Sequence, residues 1–331
     1  MKILVLEYIT GGGMAGKALP EELARAGEAM LSALAADLAS LPQISLRILR
    51  DSRLSPLIVE DNAIETDTIA SPQQWQEQWK AGLAWADAVW VVAPETDGIL
   101  YHLAKDVLAA RKVLLGCRPD AIQICSDKLT TNTILNAACV DSVPGCLVAE
   151  FNGQFPPPWI IKPKDEVGCE GIRLVGPSAK LADFHRGDWI IQPYIRGEPL
   201  SLSAVFAGGK ALLLTVNRQH LVWQGESLEL DACSVNINGT DRLQFQRLCS
   251  KIAMTIPGLW GYVGIDLIQS RNHTVVVEIN PRLTLSYTGI RAALNINVAE
   301  WVVMLANERV SMPELISRRK QIGGKEIKVT V

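Results

Sequence analysis

The chain has 331 residues, with 32 Lys and Arg against 35 Asp and Glu, and a formal net charge of −3. That length suggests two or three packed units, because single domains cluster near about 100–150 residues. A composition of 48% hydrophobic and 20% charged residues excludes intrinsic disorder, a collagen and a disulfide-rich miniprotein. The near balance of charge argues against a broad basic face for nucleic acid, while leaving room for a small polyanion held by a few local cations.

Seven cysteines, with no Cys-x-x-Cys pair and only four histidines beside them, lack metal-ligand spacing. Reduced thiols and a cytoplasmic location are therefore expected. The first apolar run breaks at Glu7, and no stretch reaches the roughly 18 apolar residues of a membrane span. Small-molecule substrates are expected, without membrane or nucleic acid, and a homodimer is left open.

In chain order, residues 3–6 read as a strand, followed by the loop Thr10-Gly11-Gly12-Gly13. Residues 20–41 carry apolar side chains at helical spacing, and residues 44–49 read as a second strand. Ser71-Pro72 opens a helix whose Trp75, Trp79 and Leu83 stripe one face as core. Residues 88–92 and 112–115 are apolar runs of the kind found in buried parallel strands. Such alternation predicts a parallel sheet with ligands at the carboxyl ends of its strands, where Thr10–Gly13 and Pro94-Glu95-Thr96 fall. The stretch 11–18 fits a phosphate-loop pattern except at Ala18, which has no hydroxyl for a metal. A turn before a helix is the preferred reading, with the option that backbone N–H groups at Gly12 and Gly13 hold a substrate carboxylate.

After Pro156-Pro157-Pro158 the chain turns mainly to strands, at 159–162, 171–175, 189–192, 200–206 and 210–216. A helix over 241–256, strands over 261–269 and 274–280, a helix over 298–307 and a last strand over 326–331 follow.

The pair 261–269 and 274–280 alternates, with apolar residues at the odd positions. A three-residue turn, Arg271-Asn272-His273, sets Asp266 opposite Glu278 and Gly264 opposite Asn280. Facing carboxylates repel, but a divalent cation between them makes the arrangement favourable. Asp266, Glu278 and Asn280 are hard oxygen donors suited to Mg²⁺, or Mn²⁺. Gly264 leaves room above them, and Arg282 adds a cation just beyond. Upstream, residues 160–174 deliver Lys162 on a strand and then a glycine-bounded turn able to fold over phosphates. In the connector after Gln192, the Ile195 backbone can meet an adenine edge, and Glu198 can accept from ribose hydroxyls.

Together with Ser126-Asp127-Lys128, these segments resemble the ATP-grasp superfamily over about residues 120–300. The resemblance implies an α/β and α+β chain, an ATP-grasp fold with an N-terminal Rossmann-like parallel-sheet domain. It divides the chain into a front domain over 1–116, a small lobe with a phosphate-covering loop over 117–188, and a large lobe with a metal site over 189–331. It places Lys128 and Lys162 on ATP phosphates, Gly168 and Gly171 in the covering loop, Gln192 and Ile195 at adenine, and Glu198 at ribose. Asp266, Glu278 and Asn280 then hold Mg²⁺, and Arg282 stabilises the reacting phosphoryl group. Gln192 stands where many members have Glu, and its carbonyl can still accept from the adenine amino group. An arginine in Asn-Pro-Arg resembles the carbamoyl-phosphate synthetase and biotin carboxylase branch rather than the D-alanine ligases.

The segments 7–13, 92–98 and 124–128 are similar to the tyramine–L-glutamate ligase family of methanofuran biosynthesis. That similarity implies an ADP-forming ligase joining the γ-carboxylate of glutamate to tyramine through an acyl phosphate. Another amino-acid ligase of the superfamily, or an ATP-grasp small-molecule kinase, stays open. Glutamate needs a cation for its α-carboxylate, for which Arg218 and Arg291 are candidates, and an acceptor for its α-ammonium, for which Glu7 is one. No histidine near these motifs offers itself as a base for the amine.

Overall fold

A computed structural model of the chain describes residues 1–58, 64–164, 171–184, 187–225, 227–271 and 273–330. The front of the chain contributes β1 (Lys2–Glu7), α1 (Glu21–Ala39), β2 (Ser45–Asp51), β3 (Glu65–Ile69), α2 (Pro72–Trp85), β4 (Ala88–Val92), α3 (Ile99–Ala109) and β5 (Val113–Leu114). The strands form a parallel sheet ordered β3-β2-β1-β4-β5. β4, and β1 beyond its exposed first residue Lys2, are buried because helices cover both faces. Ser71 accepts from the Gln74 N–H, and Pro72 sits in the first turn, so α2 starts where its capping residues predict. Trp79 and Leu83 of α2 are buried, and Trp75 stacks on Trp79.

Two features depart from the sequence reading. β3, Glu-Thr-Asp-Thr-Ile, is an edge strand with no apolar run. Its Glu65 and Asp67 pair with Arg47 of β2. The glycine loop caps no helix, because α1 begins only at Glu21. Gly12 has a φ of +86°, and a Cβ there would stand 2.5 Å from Ile69, so packing and backbone both require glycine.

From β1 the chain runs outward through β2 and β3, then crosses to β4 and β5 on the other side. Carboxyl ends of strands at such a reversal open a crevice. Glu7 at the end of β1 is in register with Val92 at the end of β4, so both border it.

The remainder comprises α4 (Pro119–Ser126), α5 (Lys128–Ala137), β6 (Cys146–Leu147), β7 (Trp159–Pro163), β8 (Arg173–Val175), β9 (Trp189–Pro193), β10 (Glu198–Ala207), β11 (Lys210–Gln224) and β12 (Ser227–Val235). After these come α6 (Arg242–Thr255), β13 (Gly261–Gln269), β14 (Thr274–Asn280), α7 (Tyr287–Leu294), α8 (Val298–Ala306), α9 (Met312–Lys320) and β15 (Ile327–Thr330). Their strands order as β14-β13-β10-β11-β12-β8-β7-β9-β6, with β15 on β12. β9 lies between β7 and β6, so the strand carrying Gln192 sits beside the strand carrying Lys162. Val148, Trp159, Ile161, Val175 and Ile191 form a separate small core under these strands. A larger apolar cluster joins Leu4 and Val91 of the front sheet to Leu202, Ile252 and Ile265. Among the described residues no single helix is long and apolar enough to cross a membrane.

The β11–β12 hairpin is far longer than the strand expected over 210–216. Polar Asn217, Gln219 and His220 break the apolar run. Asn217 is nevertheless buried, because its amide donates to the hydroxyls of Ser201 and Ser203.

The register of β13 and β14 sets Asp266 opposite Glu278 and Gly264 opposite Asn280. The route to it differs from the expected one. Gln269 pairs with Thr274, one step out of phase with that site, and a bulge beside Leu267 restores the phase. Val277 is the surplus residue, and it lines a cavity while Val276 takes the buried place.

Candidate functional site

A cavity of about 510 Å³ lies between the carboxyl ends of β1 and β4 and the larger sheet. The carboxylate pair borders it. Asp266 accepts from Asn280 Nδ2 through Oδ2 and from Gln219 Nε2 through Oδ1, each at 3.0 Å. Burial, and then the charge of Glu278, push the Asp266 carboxyl up to about 7. Burial acts on Glu278 in the same direction, but Lys128 and Lys162 outweigh it and hold that carboxyl below its ordinary value. Without a cation the pair therefore shares a proton near neutral pH. Lys128 Nζ is 3.9 Å from Glu278 Oε2. Among the described residues no group of three or more His, Cys, Asp or Glu forms a metal cluster. Two carboxylates and an amide fit a cation such as Mg²⁺ that fills its remaining positions with water and phosphate oxygens.

The sequence predicts that Gly264 leaves room above this site, and the structure shows otherwise. A Cβ there would stand 2.5 Å from Thr284 Cγ2. The room is already taken by Thr284, which lines the cavity.

Asp127 caps α5 by accepting from the N–H groups of Leu129 and Thr130, and Lys164 Nζ reaches the same carboxylate at 2.9 Å. Lys128, next in sequence, donates to the Lys164 carbonyl at 3.3 Å. Helix start and lysine strand are thus tied together, with the buried Lys128 and Lys162 directed at one carboxylate. Gly168 lies outside the described residues. Gly171, with φ of +71°, sits against Pro163, where a Cβ would come within 2.9 Å of the ring.

Gln192 is buried and donates to the Val143 carbonyl at 3.2 Å. Both line the cavity with Ile160, Ile172, Ile195 and Leu267, forming an apolar slot able to take a planar base. Glu198 and Arg218, expected to serve ribose and a substrate carboxylate separately, are ion-paired with each other at the start of β10. Arg291 is held by Asp37 at 2.8 Å, and Tyr287 donates to the other oxygen of that carboxylate at 2.7 Å. This tie joins α1 to α7. Arg218, Arg291, Gly12 and Gly13 do not border the cavity.

The opposite end of the cavity is formed by Glu7, Ile9, Leu23, Ala26, Met30 and the segment Val92–Pro94. Glu7 is buried, and burial raises its carboxyl above the ordinary value although Thr10 and Ile9 hydrogen-bond to it. Arg282 reaches into this region. Its Nε donates to Glu95 Oε2 at 3.0 Å and its Nη1 to the Leu283 carbonyl at 3.1 Å. Glu95 belongs to the loop after β4, so the front sheet anchors an arginine that follows β14. The sequence placed Glu95 at a strand end but assigned it no role. A hydroxyl cluster also went unread: Tyr262 lies 2.9 Å from Ser203 and from Thr284, and Ser286 is 3.0 Å from Ser203.

Residues 125–286 match the ATP-grasp domain, and residues 44–122 match the pre ATP-grasp 3 domain. The chain belongs to the ATP-grasp superfamily. Tyramine–L-glutamate ligase of Methanocaldococcus jannaschii is 31% identical to it over 222 residues, covering 67% of this chain and 63% of that protein. Less than two thirds of that relative's length is therefore matched. An ATP-grasp superfamily protein from Archaeoglobus fulgidus superposes with a TM-score of 0.69 at 23% identity, covering 92% of this chain and 88% of the other. Biotin carboxylase from Campylobacter jejuni superposes with a TM-score of 0.71 at 15% identity, covering 97% and 73%. These two likenesses establish the fold.

Proposed function

We propose that the chain is an ATP-dependent carboxylate–amine ligase of methanofuran biosynthesis. It joins the γ-carboxylate of L-glutamate to tyramine and releases ADP and phosphate. The observation that carries this reading is the convergence of Asp266, Glu278 and Asn280 with Lys162 and Arg282 around one cavity, with Lys128 reaching Glu278 at 3.9 Å. The named relative directs the choice of substrates.

The chemistry follows from what each group can do. A carboxylate is a poor electrophile, so it is first phosphorylated to an acyl phosphate with a good leaving group. Lys128 and Lys162 bind the triphosphate and offset its charge, and Arg282 does so at the transferred phosphoryl oxygens. Mg²⁺ held by Asp266, Glu278 and Asn280 supplies further charge neutralisation when bound. Gln192 and Ile195 hold the adenine in the apolar slot. The apolar end around Ile9, Leu23 and Met30 accommodates the aromatic body of the amine and excludes water from the acyl phosphate.

The test is ATP-dependent ADP release across a panel of amines and amino acids, with mass spectrometry of the product. γ-Glutamyltyramine formed only with ATP, glutamate and tyramine together is the expected result. Rapid ADP release and a stable phosphorylated product without any amine would identify a kinase instead.

A further inference from the structure

An amide-forming ligase must take a proton from an ammonium group before the nitrogen can attack, and the cavity holds a group placed for that task. We infer that Glu7, expected from the sequence to receive the α-ammonium of glutamate, instead binds the incoming amine as its ammonium and accepts one proton from it, an assignment that rests on the ligase reading above.

Four observations support it. Glu7 ends β1 at the reversal of the front sheet, where ligand crevices form, and it borders the cavity. It is only 3% exposed, yet its hydrogen bonding is lopsided. Oε2 accepts from Thr10 N at 2.7 Å and from Thr10 Oγ1 at 2.6 Å. Oε1 has one long contact, from Ile9 N at 3.4 Å, and keeps acceptor capacity for a donor in the cavity. Finally, α1 crosses directly over the carboxylate at Gly27, where a Cβ would stand 2.6 Å from Oε2. That close passage, with the two Thr10 bonds, fixes the orientation of the group.

The other carboxylates bordering the cavity among the described residues are Asp266 and Glu278, which are assigned to the cation. Glu95 is held by Arg282. No described histidine borders the cavity. The walls beside Glu7 are apolar, and burial in them raises its proton affinity. Arg282, whose charge Glu7 feels, works in the opposite direction.

The step balances. The ammonium gives a proton to Glu7 and becomes a neutral amine, whose lone pair forms the C–N bond at the acyl carbon. The bond from that carbon to the phosphate oxygen breaks, and phosphate leaves with the electron pair. The second nitrogen proton goes to the departing phosphate, and Glu7 returns its proton to water as product leaves.

Hydroxylamine separates this role from others, because it is already neutral near neutral pH and traps an acyl phosphate as a hydroxamate without a base. With Glu7→Gln we expect hydroxamate formation within about threefold of the unaltered enzyme. Amide formation with tyramine should fall about 10²- to 10⁴-fold and recover about tenfold per unit as pH rises toward the pKa of the amine. In Thr10→Ala, loss of the Oγ1 hydrogen bond to the carboxylate, with the backbone N–H bond kept, should move the acid limb of the tyramine kcat/KM profile to higher pH. An unchanged amide rate in Glu7→Gln, or an equal loss of amide and hydroxamate, would overturn the assignment. So would a Thr10→Ala limb that stays in place or moves to lower pH. Failure of the unaltered enzyme to form any hydroxamate from glutamate and ATP would instead overturn the ligase reading, and this inference with it.

Discussion

The contact between Glu95 and Arg282 links the front sheet directly to the arginine proposed to meet the phosphoryl group, and removing it should be felt in stability and in turnover. The side chains are 6% and 12% exposed and 3.0 Å apart. Truncating one partner of a buried ion pair costs about 3–5 kcal/mol, because the other charge stays buried without it. Two features lower that figure here. Arg282 keeps its bond to the Leu283 carbonyl, and Glu95 Oε1 is itself buried without a hydrogen-bond partner among the described residues, a desolvation cost that truncation removes. Glu95→Ala should therefore lose about 2–4 kcal/mol in urea unfolding, with an unchanged denaturant slope. Its kcat should fall about 10²-fold through misplacement of the guanidinium, with a smaller change in the KM for ATP. Glu95→Gln keeps an acceptor and should lose less in both. A Glu95→Ala protein within about 0.5 kcal/mol of the parent, as expected for an ordinary surface change, and with unchanged kcat would refute the reasoning.

Three further outcomes are expected. Asp266 has its carboxyl raised to about 7, so the metal-free fold gains stability from its proton below the ordinary carboxylate range and loses that gain as pH rises through about 7. Mg²⁺ competes with this proton, so the rise in melting temperature at fixed Mg²⁺ should shrink on going from about pH 8 to about pH 6, with apparent affinity falling up to about tenfold per unit; a pH-independent rise would contradict the shared-proton description. Gly264→Ala should destabilise by about 1–3 kcal/mol through its collision with Thr284 Cγ2. Adding Thr284→Ser, which deletes that methyl and keeps the hydroxyl, should restore most of the loss in denaturant unfolding, and an absence of rescue would point to a different strain. Asp37→Ala should cost about 2 kcal/mol by stranding the buried Tyr287 hydroxyl, while the KM for glutamate stays within about twofold; a large rise in that KM would return Arg291 to the substrate site.

What the sequence made legible were the features that repeat at short range. The period of two in β13 and β14, with an assumed three-residue turn, placed Asp266 opposite Glu278, and the bulge made that register hold although the turn pairing differs. The Ser71-Pro72 cap located α2, and the apolar runs located β1 and β4. The bulge was hidden because Val276 and Val277 are chemically identical, so no pattern distinguished the buried residue from the surplus one. β3 and the outer part of the β11–β12 hairpin were hidden because ion pairs and buried amides, rather than apolar alternation, hold them. Long-range partnerships were beyond reach. Glu95 finds Arg282 across 187 positions, and Arg291 finds Asp37 across 254. An arginine near a motif looks the same in sequence whether its charge meets a substrate or is spent on the fold.

Leu23, Ala26 and Met30 lie three and four positions apart on α1 and form one stripe along the cavity. None of them belongs to β7, β13 or β14, to the start of α5, or to the segment after β14 that carries Arg282. Under the proposed reaction, the width of this end of the cavity is reset by exchanging side chains along one helix face, apart from the residues assigned to phosphate and metal. On that reading, three codons are enough to retune the acceptor.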